Sequence, residues 1–452
     1  SDENVFDIQQ GVSIALFVKD KKHKGIGRVF YEDVYGLRDK KYTYLNKSDI
    51  NSTKWIKLQP SEPHYFFVEK DFKLEEVYNK FPCVSDIFSL YNAGIATGKD
   101  KILVDFSEES LARKLSIRDK KAFYILMKSY DIDEELIANW YEKLKKKDTN
   151  VEELIKPYAY RLFDIRFTIY DDKILQRARK TTMDHLLKDN IALILTKQLA
   201  KLPFKHCFVT TEIGDRCLIS LRTKELGYFF PLYLYPQKSN SKKGSPSCNM
   251  MLFEPKADYN VKRPNLSNVL LEQLTTAFKK EPIPEQIFFY IYAVLYSNIY
   301  RTRYAEFLKI DFPRVPFTKD LKLFQKMSDL GKELTELHLL KSKSLNNPIS
   351  KFQGNGTNEV EKLRYDEKEK KFYINKNRYF EGIEKEVFEY QIGGYQVCDK
   401  WLKDRKGRIL ALDDIRHYCK VVTALKNTIE IQKEIDRLYP QVEKGLIEFE
   451  NE

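Results

Sequence analysis

Cysteine is scarce and scattered in this 452-residue chain: Cys83, Cys207, Cys217, Cys248, Cys398 and Cys419 form no CxxC pair and no Cys/His cluster at zinc-ligand spacing. That excludes a disulfide scaffold and a zinc finger, and points to a reduced, cytoplasmic chain. Histidine is as sparse. His23, His64, His185, His206, His338 and His417 stand apart, none in an HExxH or similar pair, and read as core or solvated residues. No uninterrupted apolar run approaches the roughly 18 residues that cross a bilayer, which removes an integral helical membrane protein. A GxxxxGK[ST] loop is missing, so no ATP-driven motor is encoded here. No two prolines adjoin. An amino-methyltransferase clamps a flipped base with an Asn-Pro-Pro-aromatic string; SEPHYF at Ser61–Phe66 lacks the paired prolines and the leading Asn or Asp, and carries no catalytic weight. Internal repeats of 20 to 50 residues are absent as well.

What is present is a chain built to fold. Hydrophobic residues make up 42% and aromatics 13%, so the 32% of charged residues does not imply disorder, and the length suffices for two or three domains. Lys and Arg number 78 against 66 Asp and Glu, a net charge of +12 that favours a polyanionic partner, most economically nucleic acid. The excess is concentrated. Tyr160–Pro264 holds 19 Lys and Arg against 10 Asp and Glu, nine of the twelve net charges.

The organisation follows from periodicity. Val12–Val18 (VSIALFV) and Arg28–Tyr31, on either side of a Gly25-Ile26-Gly27 turn, read as a β-hairpin. No apolar signal peptide precedes them, and the abrupt start is what a piece of a longer protein would show. From Asp105 to about Lys147 the pattern is helical, with Phe123, Leu126, Met127, Tyr130, Leu136, Ile137, Trp140 and Leu144 at helical spacing; KLKKK at Lys143–Lys147 closes it as a cationic helix end or as a phosphate contact. His206–Glu212, Cys217–Ser220 and Gly227–Pro236 are strand-like, and Gln237–Ser247 is a loop whose Lys238, Lys242 and Lys243 either face solvent or touch phosphate. Pro282 and Pro284 open a packed helix with Ile287, Ile291, Val294 and Leu295 on one face. Thr318 is placed to cap a helix over Lys319–Leu340. Ser342–Glu359 reads as a linker, Leu363–Asp366 with Lys371–Asn375 as a hairpin, and a long last helix starts at Asp413 or Asp414 with Ile415, Tyr418, Val422, Leu425, Ile429, Ile435 and Leu438 inward. Asp171-Asp172-Lys173 has the residue types of a metal-dependent nuclease but only the context of a solvated turn, and GGYQVCDKW at Gly393–Trp401 is either a ligand loop or a packing turn.

Several strings in order then resemble the C-terminal part of type ISP restriction-modification enzymes, over nearly the whole chain. They are DENVFDIQQGVSIALFVK (Asp2–Lys19), YRLFDIRFTIY (Tyr160–Tyr170), FPLYLYP (Phe230–Pro236), YIYAVLYSNIYRTRYAEFLKIDFPRVPFT (Tyr290–Thr318) and YQIGGYQVCDKWLKDRKGR (Tyr390–Arg408). One departure is Asn298, where the pattern calls for proline. The resemblance implies an α+β fragment: a remnant of an N6-adenine methyltransferase domain over residues 1–70, a helical spacer over 71–159, a mixed target recognition domain over 160–345 and a C-terminal hairpin and helical bundle over 346–452. It implies sequence-specific recognition of double-stranded DNA for methylation and restriction, with nuclease, ATPase and methyltransferase domains upstream using S-adenosylmethionine, ATP and magnesium. The fragment alone is expected to be inactive and to bind no cofactor. DNA-contact candidates are Arg166, Arg177, Arg179 and Lys180 on or beside the first helix of the basic block, Arg216, Arg222 and Lys224 at strand ends, Lys242 and Lys243 in the loop, and Arg301 and Arg303 between tyrosines. Each is alternatively an internal ion pair or a solvated charge. The other functional classes left open are a nonspecific nucleic-acid or structured-RNA binder and an interdomain scaffold.

Overall fold

A computed structural model describes the chain apart from residues 1, 7, 9–11, 20, 23, 26, 61–64, 68–71, 147–148, 237–261 and 450–452. It divides into two compact units, Ser1–Val77 and Tyr78–Glu452.

In the first unit β1 (Val29–Tyr31) pairs antiparallel with β2 (Ile56–Leu58), with α1 (Arg38–Lys47) between them in the chain. The expected hairpin with Val12–Val18 does not form. That segment makes no strand, and its Ile14, Leu16, Phe17 and Val18 are exposed. Consecutive apolar residues would put hydrophobic side chains on both faces of a strand, and a two-stranded pair covers neither.

The second unit mixes helices and small sheets. Its early strands, β3 (Asn92–Ala93) and β4 (Val104–Asp105), precede three amphipathic helices, α2 (Glu108–Leu115), α3 (Lys120–Ser129) and α4 (Glu134–Leu144). Ser107 caps α2 by accepting from the Ser110 N–H, and Asp119 caps α3 by accepting from Ala122. Phe123, Met127, Ile137, Trp140 and Leu144 are buried, as their spacing requires, while Asp131 at φ 58° separates α3 from α4.

Then come β5 (Ile155–Arg161), β6 (Asp164–Ile169), β7 (Ala192–Thr196), β8 (Cys207–Thr210), β9 (Ile213–Gly214) and β10 (Gly227–Pro231). They build two four-stranded sheets, β3-β10-β7-β8 and β4-β6-β5-β9. Strands β3 and β4, from the stretch read as a helical spacer, thus edge the sheets of the basic block. Arg166 sits on β6 and not on a helix, because Tyr160–Tyr170 folds as a hairpin. Cys217–Ser220, expected as a strand, turns instead: Asp215 accepts from the Cys217 and Leu218 N–H groups and bends the chain. The short pair β11 (Tyr233–Leu234) and β12 (Arg263–Pro264) follows.

The helical layer comprises α5 (Asn268–Phe278), α6 (Pro284–Tyr296), α7 (Asn298–Arg303) and α8 (Leu321–His338). Pro284 sits in the first turn of α6, where its missing N–H costs nothing. Helices α6 and α8 cross at Gly331, where a Cβ would lie 1.9 Å from the Phe289 carbonyl. Asp320, not Thr318, caps α8, accepting from Lys322 and Leu323; Thr318 accepts from the Asp320 N–H one step earlier.

Finally β13 (Lys351–Gln353), β14 (Arg364–Asp366), β15 (Lys371–Tyr373) and β16 (Tyr379–Glu381) form an antiparallel sheet in the order β13-β16-β15-β14. The stretch read as a linker therefore supplies an edge strand. The hairpin β17 (Gln391–Ile392) and β18 (Tyr395–Gln396), the helix α9 (Val397–Lys403) and the long α10 (Leu412–Val442) complete the unit. Asp414 accepts from the Ala411 N–H at the start of α10. One apolar cluster runs through Leu103, Phe163, Phe208, Leu337, Phe372, Trp401 and Tyr418, so all three expected blocks of this unit share a core.

Candidate nucleic-acid interface

The basic residues are arranged by one short segment. Asn92–Thr97 stitches the two four-stranded sheets together: the Gly94 N–H donates to the Gly227 carbonyl at 2.9 Å, Ile95 to Gly214 at 2.8 Å, and Ala96 pairs antiparallel with Arg177. Across the same segment the Arg216 N–H donates to the Ile95 carbonyl at 2.9 Å. A Cβ on residue 94 would lie 2.5 Å from the Arg216 nitrogen, so only glycine allows this crossing. Arg177 and Arg216, far apart in sequence, thereby flank one strand, Arg177 exposed and Arg216 half-buried.

Arg216 opens a loop that returns at Gly227 and carries exposed Arg222 and Lys224. The loop is held from inside by Glu225, which is 0% exposed. Its carboxylate accepts from the Ser220 hydroxyl at 2.5 Å and the Ala200 N–H at 2.9 Å, lies 3.1 Å from His206 Nε2, and meets Arg222 at 3.4 Å. Burial alone would raise its pKa; the bonds from His206 and Ser220 outweigh that and hold it at about 2. An ionised anchor fixes the loop and leaves its cations outside. The glycines of GGYQVCDKW serve the same loop: Gly393, at φ 58°, donates to Lys205, Gly394 donates to Ile219, and a Cβ on Gly393 would lie 2.0 Å from the Ile219 carbonyl. That string is a packing turn.

Arg179, half-buried at φ 57°, and exposed Lys180 follow Arg177 directly; Lys180 lies 3.4 Å from Asp172. Arg177, Arg216, Arg222 and Lys224, with Arg179 and Lys180 adjoining, are the candidates that the fold gathers.

The others are placed differently. Arg166 is bound by Asp164 through Nε at 3.0 Å and Nη2 at 2.8 Å, with its guanidinium over Tyr160 and Phe106. Asp164 is buried, and the charges of Arg405 and Arg166 outweigh that burial and lower its pKa. Arg301 is 7% exposed, donates from Nε to the Leu295 carbonyl at 2.6 Å and faces the Tyr296 ring; it is a framework residue, because a buried guanidinium has no edge to offer a ligand. Arg303 reaches Glu443 at 2.5 Å, tying α7 to the end of α10. Lys242 and Lys243 lie outside the described residues.

Asp171 pairs with Lys143, the first residue of the KLKKK run, at 2.9 Å and accepts from the Lys173 N–H, while Lys147 lies outside the described residues. Among the described residues no three His, Cys, Asp or Glu side chains are grouped to hold a metal ion, and no helix is long and apolar enough to cross a membrane. Sequence reasoning misses two contributors, Gly94 and Glu225. Gly94 has a faint signal in the NAGIATG string; Glu225 has none, because its partners come from residues 200, 206, 220 and 222.

Comparison with known proteins fits this architecture. No curated protein matches the chain. Among solved structures, the ATP-dependent type ISP restriction-modification enzyme LlaBIII bound to DNA aligns with a TM-score of 0.65 at 19% identity, over 92% of this chain and 28% of that one. The DrdV–DNA complex aligns at 0.65 and 18%, over 90% and 43%, and a nuclease-deletion mutant of the type ISP enzyme LlaGI with a DNA substrate mimic at 0.61 and 18%, over 90% and 33%. The chain thus spans less than half the length of each. The family described as "Type ISP C-terminal specificity domain" matches residues 86–434. With more than three quarters of its length matched to that family and its fold shared with these enzymes, the chain belongs to the type ISP C-terminal specificity domain family.

Proposed function

We propose that this chain recognises a specific site in double-stranded DNA on behalf of a type ISP restriction-modification enzyme. The observation that carries the reading is that Arg216, Arg222 and Lys224 lie on one anchored loop within the matched specificity region, with Arg177 paired to the same Asn92–Thr97 segment that holds Arg216. A recognition surface needs cations that fix register on phosphates and side chains stiff enough to test base edges. Glu225 and Gly94 supply that stiffness from beneath. Arginine suits both tasks, since its planar fork meets a phosphate or the O6/N7 edge of guanine bidentately.

In this reading the chemistry belongs to companion domains of a longer polypeptide: a nuclease, an ATPase that uses ATP with magnesium, and a methyltransferase that takes S-adenosylmethionine and modifies adenine N6. None of those cofactors is assigned to residues of this chain. Docking against those domains is the second partner surface the reading requires.

The test is equilibrium binding to duplex DNA at several salt concentrations by the wild type and by Arg177→Ala, Arg216→Ala, Arg222→Ala and Lys224→Ala. Removing a cation that sits on a phosphate lowers the log–log salt slope by roughly 0.9, whereas removing a side chain that reads a base relaxes one position of the site at a cost of about 1 to 3 kcal/mol. Four variants that bind like the wild type would remove this loop system from the interface.

A further inference from the structure

Three arginines converge on the ring of Phe106. The guanidinium carbons of Arg408, Arg166 and Arg405 lie 3.5, 4.0 and 5.1 Å from its centroid. Two of the three are neutralised: Arg166 by Asp164 at 2.8 Å, and the buried Arg405 by Asp164 at 2.7 Å with Asp414 at 3.8 Å. Arg408 differs. Its backbone is fixed at both polar atoms, donating to the Arg405 carbonyl at 3.0 Å and accepting from the Val360 N–H at 2.9 Å. Yet among the described residues its guanidinium has no carboxylate within ion-pair distance, and the side chain is half-exposed. Asp164 and Asp414 balance two of the three cations, which leaves one positive charge without a carboxylate partner among the described residues.

The position over the ring sets what that charge can do. A guanidinium resting on an aromatic ring is pre-ordered, and its N–H edges remain free for an external acceptor. The geometry of such a fork matches two oxygens of one anionic group, and phosphate is the anion that a planar, fully charged donor grips best. The cluster is also tied through buried and half-buried side chains to the loop described above. Tyr160 receives both Arg166 at 4.0 Å and Arg161 at 3.8 Å, and Arg161 lies 3.5 Å from Asp215, the neighbour of Arg216. These side chains therefore link Asp215, at the start of that loop, through Arg161, Tyr160, Arg166 and Phe106 to Arg408.

We propose that Arg408 grips a backbone phosphate of duplex DNA, so that the segment between α9 and α10, remote in sequence from the basic block, is part of the DNA-binding surface. The inference rests on the DNA-recognition reading and adds to it a residue and a role: register, with no part in base choice.

The experiment compares the wild type, Arg408→Ala, Arg408→Lys and Phe106→Leu for binding to a mixed-sequence duplex over a salt series, with melting temperatures measured in parallel. Arg408→Ala is expected to weaken binding about tenfold, as loss of a charged hydrogen bond does, and to lower the salt slope by roughly 0.9. Arg408→Lys keeps the charge and restores the slope while recovering only part of the affinity. Phe106→Leu leaves the slope in place and weakens binding, because the cation is no longer held in position. An unchanged salt slope for Arg408→Ala in a wild type that binds duplex DNA overturns the inference alone. A wild type that binds no duplex at all overturns the recognition reading and this inference with it.

Discussion

Replacing His338 with glutamine should flatten the acid dependence of stability, and the size of the effect follows from the ring's surroundings. His338 lies at the end of α8, fully enclosed, with Nδ1 at 2.6 Å from the Tyr292 hydroxyl and Nε2 at 3.0 Å from Thr428 Oγ1. The Thr428 hydroxyl already donates to the Ala424 carbonyl at 2.7 Å, so it accepts from Nε2–H, and Nδ1 accepts from Tyr292. The ring is therefore neutral, and a second proton on Nδ1 would turn the tyrosine hydroxyl away. Burial first, and the charge of Arg301 second, lower its pKa from 6.5 to about 3. An unfolded chain takes up the proton near pH 6.5, whereas the folded chain does not until about pH 3. Stability from this site is complete above that upper value and falls as the pH is lowered through it, by about 2 kcal/mol at pH 5 and about 3 kcal/mol at pH 4. The assay is urea unfolding of wild type and His338→Gln from pH 8 to pH 4. The variant is less stable throughout, since it gives up the packing of the imidazole against Phe208 and Phe163, but its stability should decline less by the stated amounts. His185 and His417, whose pKa values burial also lowers, are present in both proteins and cancel. Parallel pH profiles would refute the assignment of a neutral, acid-sensitive hub.

Gly94→Ala should destabilise the second unit by more than about 2 kcal/mol in thermal unfolding, since the added methyl meets the Arg216 backbone and cannot be relieved without parting the two sheets. Glu225→Gln should cost about 3 kcal/mol at neutral pH, where it leaves His206, Ser220 and Arg222 facing an amide in place of a carboxylate. Because the carboxyl is held at about 2, its contribution is intact above the ordinary Glu range near pH 4.5 and disappears as the pH falls toward 2, so wild type and variant should converge in acid unfolding.

Whether an element is legible in the sequence depends on whether its partners are local. Helices α3, α4, α6 and α10 are legible because their apolar stripes recur within each segment, and Phe123, Trp140, Ile291 and Tyr418 are buried where their spacing puts them. At the break after α6, Asn298, the position where proline is expected, donates to Asp436 of α10 at 3.0 Å. Ser297 caps α7 there in its stead. Strands two or three residues long, such as β3, β4 and β13, have too few positions for an alternation to register, and they vanish into what reads as spacer or linker. Cys217–Ser220 misleads because Leu218 and Ile219 are fully buried without lying in a strand; burial, not extension, selects their side chains. For the site, arginine content and charge asymmetry nominate candidates but do not separate exposed Arg177 from buried Arg301, since that difference is made by elements far apart in the chain. Arg408 closes one of the family-like strings, yet nothing local singles it out: its ring partner, Phe106, lies about three hundred residues away, a separation over which sequence spacing carries no signal.

The central claim is that this chain reads a DNA sequence. The most direct measurement is selection of bound duplexes from a randomised library by the purified chain, with the retained pool sequenced at two salt concentrations. Recognition predicts one enriched, asymmetric motif that persists at the higher salt, where nonspecific phosphate binding is suppressed. A pool that is retained without enrichment, and is lost uniformly as salt rises, would contradict it and leave a nonspecific polyanion binder.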